Sequence, residues 1–132
     1  MRIRAAAVVV RDGSVLVIGR RTSGREYAVL PGGGVERGES VQEACLRELQ
    51  EETGLIGRDP QELEIRSDPA ARYFAVTVAD GPLRLGGPEV ERSSDENVYT
   101  PRWVEIVQLA DIGLVPEGAV VAVAAALRSH GA

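Results

Sequence analysis

The sequence predicts an α/β fold in which helices cover both faces of a sheet, and three observations carry that reading. Two apolar runs near the N-terminus, 3–10 and 15–18, are nearly continuous instead of alternating, as in strands buried on both faces. A helix with its own start and stop signals occupies 41–53. A second, alanine- and valine-rich helix follows Pro116. Strands hidden on both sides need a helix layer on each.

Taken in order, the first two runs flank Asp12-Gly13 and form a hairpin. Arg20 and Arg21 follow where the strand leaves the core, either as solvated loop charges or as contacts to a phosphate or base beside a cleft. Residues 22–26 read as a polar loop and 27–30 as a short strand, stopped by Pro31-Gly32-Gly33-Gly34. A glycine run lets backbone approach a ligand closely. It is no P-loop, because no Gly-Lys-Ser/Thr follows.

Ser40 and Glu43 make an S-x-x-E capping box, so the next helix begins at Val41, and Gly54 supplies its left-handed stop. At about 100° per residue, Glu48 and Glu52 share a face with Val41 and Cys45, and Glu51 lies nearby. Three carboxylates therefore sit beside the apolar stripe, in the last turns. There the helix dipole is negative and each anion costs roughly 0.3–1 kcal/mol. A breach of local rules of this kind is expected where function outweighs stability. A hard divalent cation, Mg²⁺ or Mn²⁺, would remove the conflict. Arg47 has Glu43 at i−4 and Glu51 at i+4, which suggests an ion pair with both.

Beyond Leu55 a polar linker with an Asp59-Pro60 turn leads to a short strand at 63–66. Residues 72–79 read as the clearest later strand, and Asp80-Gly81 turns it towards a partner at 83–85. The strand's one face carries Phe74, Val76 and Val78, and the other sets Tyr73 among small neighbours. Residues 86–100 form a long irregular segment with Glu89, Glu91, Asp95 and Glu96, a length that commonly marks function. A strand at 102–106 contains Trp103, a helical turn spans 108–112, and the final helix runs over 117–128. That helix has little polar character, so it packs on the sheet or on an oligomer partner. His130, the single histidine, is read as solvent-exposed near the end of the sequence.

With 132 residues, 44% apolar and 27% charged, the sequence suits one domain over 1–132. No apolar run approaches 18 residues, which argues against a membrane span, and the start reads as a strand, not a signal peptide. The single cysteine, Cys45, excludes an internal disulfide and fits a reducing cytoplasm. A net charge of −5 makes a nucleic-acid partner unfavourable but leaves room for a phosphate substrate, because clustered carboxylates recruit metal ions that bind phosphate.

Residues 33–55, GGVERGESVQEACLRELQEETGL, resemble the Nudix box, G-x5-E-x7-R-E-U-x-E-E-x-G-U with U a bulky aliphatic. Gly33, Glu39, Arg47, Glu48, Leu49, Glu51, Glu52, Gly54 and Leu55 fill every constrained position. A lone E-x-x-E-E would be read as a solvated face; nine positions together are specific. The resemblance implies a Nudix-type α/β/α sandwich around a mixed β-sheet. It implies hydrolysis of a phosphoanhydride bond in a nucleoside diphosphate linked to another group. Mg²⁺ or Mn²⁺ would be held by Glu48, Glu51, Glu52 and the backbone carbonyl of Gly32, with Arg47 orienting the glutamates and Glu39 in support. Glu48 is the expected general base; Glu89, Asp95 and Glu96 are alternatives, because the base varies within the family.

A cytoplasmic enzyme acting on a nucleotide-type small molecule, with a homodimer compatible, is the expectation. Two alternatives stay open: a sensor module on the same fold, and an RNA 5′-end pyrophosphohydrolase. Signatures of the coenzyme A and NADH subfamilies are absent, and where ADP-ribose enzymes carry a proline this chain has Ala71, with Pro69 two residues early. Arg20, Arg21 and Tyr73 are the substrate-binding candidates. Tyr73 stands close to where the family's diadenosine polyphosphate hydrolases keep a tyrosine. It either stacks on a nucleobase or, more simply, fills a face covered by a helix.

Overall fold

The computed structural model describes residues 3–66, 69–84 and 97–130, with residues 129 and 130 described by their backbone alone. Among the described residues, eight strands and two α-helices follow one another: β1 (Arg4–Val8), β2 (Val10–Arg11), β3 (Ser14–Thr22), β4 (Arg25–Val29), β5 (Gly32–Gly34), α1 (Val41–Thr53), β6 (Gly57–Leu63), β7 (Ala71–Val78) and β8 (Asn97–Glu105), then a 3₁₀ helix (Ile106–Asp111) and α2 (Glu117–His130). One sheet is mixed, in the order β5-β1-β7-β6, with β1 and β7 parallel. In the other, β3 pairs antiparallel with β2, β4 and β8.

The two-sided apolar strands are central, as their sequences require. Ala5, Ala7 and Val9 join Leu16, Phe74 and Val76 in a core against Ala44, Cys45 and Leu49 of α1. Ala6, Val8, Val15, Val17 and Tyr73 join Ala119, Ala122, Val123 and Ala126 of α2 in a second core on the opposite face. The α2 residues recur at i, i+3, i+4 and i+7, so one helical stripe is spent on the sheet. This is the α/β/α sandwich expected from the sequence. Among the described residues, no helix is long and apolar enough to cross a membrane.

Several boundaries differ from the sequence reading. The polar loop at 22–26 is a second tight hairpin: Ser23 and Gly24 both take positive φ, as Asp12 and Gly13 do, and Thr22 pairs with Arg25. The linker after Leu55 is itself a strand, β6, which ends at Leu63, so 64–66 is not strand. Asp59 at φ 53° and the neighbouring Pro60 sit in a register shift between Arg58 and Gln61, so the apparent turn is a bulge in an edge strand. Leu83 and Arg84 form no hairpin strand; the Arg84 amide instead donates to the Thr53 carbonyl at 2.8 Å, closing the end of α1. The segment expected to be irregular through 100 is already β8 from Asn97. Leu85, Glu89, Glu91, Asp95, Glu96 and the His130 side chain lie outside the described residues.

Candidate active site

Helix α1 starts as its sequence dictates. The Glu43 amide donates to Ser40 Oγ at 3.0 Å and the Ser40 amide donates to Glu43 Oε1 at 2.8 Å. Gly54, at φ 79°, ends the helix. Because Glu43 is spent on the cap, it does not pair with Arg47, contrary to the sequence expectation. Glu39 takes that place from the loop, with Arg47 Nε donating to Oε2 at 2.7 Å and Nη2 to Oε1 at 3.0 Å. This two-pronged geometry is the strongest form of a guanidinium–carboxylate contact.

The remaining Arg47 protons reach the helix and β5. Nη1 donates to Glu48 Oε1 at 2.9 Å and to Glu51 Oε2 at 3.3 Å, and Nη2 donates to the Gly34 carbonyl at 3.2 Å. The Glu39 hydrogen bond, followed by those to Glu48, raises the Arg47 pKa well above its ordinary value, so the side chain is a permanent cation. One nitrogen thus already has two carboxylates of α1 converging on it.

The glycine turn forms the opposite wall. Ala7 donates to Pro31 and Val35 to Ile3, which makes Ala5–Gly33 the hydrogen-bonded pair between β1 and β5. Antiparallel alternation then turns the Gly32 N–H and C=O away from β1. The Gly32 N–H accordingly donates to Glu52 Oε1 at 2.6 Å. Its carbonyl leaves the strand on the same edge, as the metal-ligand expectation for Gly32 requires. Gly33 lies against Glu48 so closely that an added Cβ would stand 2.5 Å from the carboxyl carbon. Only glycine lets the glutamate lie over the strand.

Glu48 and Glu52 are 9% and 4% exposed. Burying carboxylates is expensive without compensating charge or hydrogen bonds. Hard oxygen donors gathered this way suit Mg²⁺ or Mn²⁺ in kind. In the arrangement described, Arg47 holds two of them and the Gly32 amide the third. Accordingly, no group of three or more such residues is spaced as a finished metal cage among the described residues. Cys45, on the same helix, is a packing residue: burial pushes its thiol pKa up to about 12.

The model of the NUDIX domain matches residues 1–124. The chain belongs to the NUDIX family. A protein named ADP-ribose pyrophosphatase from Methanocaldococcus jannaschii is 41% identical over 88 residues, which cover 60% of this chain and 52% of that one. One named RNA pyrophosphohydrolase from Teredinibacter turnerae is 39% identical over 59 residues, covering 44% and 34%. The matches therefore span about half or less of these relatives' lengths. The solution structure of the E. coli ORF135 protein superposes with a TM-score of 0.63 at 26% identity, covering 98% of this chain and 92% of that one.

The other site residues expected from sequence do not all converge in this NUDIX domain. Pairing of β3 with β8 is unbroken from Ser14 to Thr22, so side chains alternate throughout. Arg20 therefore shares the α1 side with Leu16, and Arg21 shares the α2 side with Val17. The two arginines serve opposite faces. Both residues nevertheless line one cavity of about 490 Å³, together with Gly19, Glu26, Tyr27 and Thr100. Arg20 lies over the Tyr99 ring at 4.2 Å and the Tyr27 ring at 5.6 Å.

Tyr73 requires a correction. It is 2% exposed and packs in the core beneath α2, so its ring has no free face for a base. The simpler of its two readings is the right one. Tyr27 and Tyr99 were missed as neighbours of Arg20. Reading Ser23-Gly24 as a hairpin turn would have placed Tyr27 opposite Arg20, whereas Tyr99 depends on a long-range pairing with no local signal.

Proposed function

We propose that this NUDIX domain hydrolyses a phosphoanhydride bond in a nucleoside diphosphate linked to a second group, using Mg²⁺ or Mn²⁺. The observation that carries the reading is the convergence of Glu48 and Glu51 on one cationic nitrogen, beside Glu52 fixed to the Gly32 amide. Glu48, Glu51, Glu52 and the Gly32 carbonyl would hold the ion. When bound, it supplies neutralisation of the diphosphate oxygens.

The protein's own part is positioning and electrostatics, which is most of what phosphoryl transfer asks of it. The Gly32 amide fixes the Glu52 carboxylate on the β5 edge. Arg47 holds Glu48 and Glu51 close together, and Glu39 fixes the guanidinium in its turn. Glu48 acts as general base, accepting a proton from the attacking water at Oε2, since Arg47 takes Oε1. Arg20 and Arg21 meet the substrate at the cavity that both line. The lone buried thiol suits a cytoplasmic enzyme, and Val120 and Val121, exposed on α2, are where a homodimer would form.

The named relatives keep two substrate classes in view, a sugar-linked nucleotide and an RNA 5′ end. A screen of nucleoside diphosphate derivatives and 5′-triphosphorylated RNA, with and without Mg²⁺, tests the proposal. Metal-dependent release of phosphate or a nucleoside monophosphate is expected. Absence of metal-dependent cleavage across the screen would leave a binding module in its place.

A further inference from the structure

The end of the β3–β4–β8 sheet carries a row of three side chains that the hydrolytic machinery does not use. Register places Tyr27, Arg20 and Tyr99 directly opposite one another, on the face that Leu16 turns towards α1. The Arg20 guanidinium lies between the two rings of the row. It lies over Tyr99 and Tyr27, and its Nη2 donates to the Tyr99 hydroxyl at 2.9 Å and to Asn97 Oδ1 at 3.3 Å. Arg25 adds a second guanidinium over Tyr27 at 4.9 Å.

Two features set this row apart from an ordinary ladder of cross-strand pairs. First, two guanidinium groups, those of Arg20 and Arg25, lie over the Tyr27 ring, and among the described residues neither has a carboxylate partner. Second, Arg20 Nε is buried with no hydrogen-bond partner among the described residues. Leaving that donor unused costs stability, a breach of local rules expected where function outweighs it. Tyr27 and Tyr99 are only half-buried, so their faces are not wholly given to a core.

We infer that the Tyr27–Arg20–Tyr99 row is the surface on which the nucleobase of the substrate stacks. Aromatic rings and guanidinium planes are the surfaces on which proteins stack unpaired bases, and the same chemistry serves a free nucleotide or the 5′ nucleotide of an RNA. The chain connects the row to the carboxylates: Gly32 stands five positions after Tyr27, at most about 17 Å of extended backbone. A nucleoside diphosphate joined to a second group is long enough to reach across. The inference rests on the proposed nucleotide chemistry, but its test needs neither metal nor turnover.

Equilibrium binding of AMP, ribose 5-phosphate and a short 5′-phosphorylated oligoadenylate to the whole chain tests it. The wild-type protein is expected to prefer AMP over ribose 5-phosphate, and Tyr99→Ala or Tyr27→Ala to reduce that preference by about 5- to 150-fold. Tyr27→Phe keeps a ring and should keep the preference. In the unmutated protein, the Arg20 Nε–H resonance should move on adding AMP and stay in place with ribose 5-phosphate. That measurement stands even if an alanine variant fails to fold. Preference confined to the oligoadenylate, with the same Arg20 shift, would support the row and assign the base to an RNA end. Equal binding of AMP, oligoadenylate and ribose 5-phosphate, with an unmoved Arg20 signal, would overturn the inference and leave the carboxylate chemistry to its own test.

Discussion

Arg47 and Arg20 are both partly buried and both hydrogen-bonded through their guanidinium nitrogens, yet their surroundings are opposite in kind. Arg47 is enclosed by Glu39, Glu48 and Glu51, with Glu36 further off at 3.8 Å. Arg20 is enclosed by two tyrosine rings and an asparagine, and one of its donors is unused. The difference teaches what each end of the molecule is for. A cation wrapped in carboxylates holds anions in place, and its job is finished within the protein. A cation wrapped in flat uncharged groups keeps its charge available to a ligand.

The largest effect belongs to the carboxylates at the Arg47 end. Glu52→Gln keeps the shape and an acceptor for the Gly32 amide while removing a charge. Turnover under saturating Mg²⁺ should fall by at least about 10²-fold. Thermal stability should hold or rise slightly, because an anion leaves the negative end of the helix dipole. Kinetics and a melting curve on one preparation check both halves.

Next comes the cation. Arg47→Ala strands three neighbouring carboxylates, so metal affinity and activity should fall together, towards 10²-fold. Arg47→Lys restores the charge but not the fork to Glu39 and should recover only part of the loss. Unchanged metal affinity in Arg47→Ala would reduce the cluster to a surface ion pair and erase the contrast with Arg20.

A smaller effect separates two neighbouring glycines of β5. At Gly32 an added Cβ meets backbone, with the Ala5 carbonyl and Ala6 Cα in its way, so Gly32→Ala should lower stability by about 1–3 kcal/mol. At Gly33 it meets only the flexible end of Glu48. Gly33→Ala should therefore melt close to wild type and yet lose about tenfold in turnover, the low end for displacing a supporting contact. Similar melting points for the two variants would show that β5 is not packed as described.

What the sequence disclosed follows from the range of the interactions. Helix α1 was legible to the residue because its capping box and glycine stop are local, and so were its carboxylates. The closeness of Glu52 to Gly32 was not, since it depends on which side of β5 faces β1. Strand β6 was hidden because Asp59 and Pro60 look like a turn wherever they stand, and only pairing with β7 makes them a bulge. The two faces of β7 were read correctly around Tyr73, but what covers its α2 side is set by residues more than forty positions away. Arg20 and Arg21 looked like one basic pair; strand alternation sends them to opposite faces.

The claim at the centre of this account is that α1 and β5 form a divalent-cation site. Titrating Mn²⁺ into the wild-type protein and into Glu48→Gln/Glu52→Gln, with free ion followed by electron paramagnetic resonance, tests it most directly. Wild type should bind Mn²⁺, and the double variant should bind more weakly by more than the roughly 10- to 100-fold that losing a supporting group costs. Equal binding by two well-folded proteins would contradict the account.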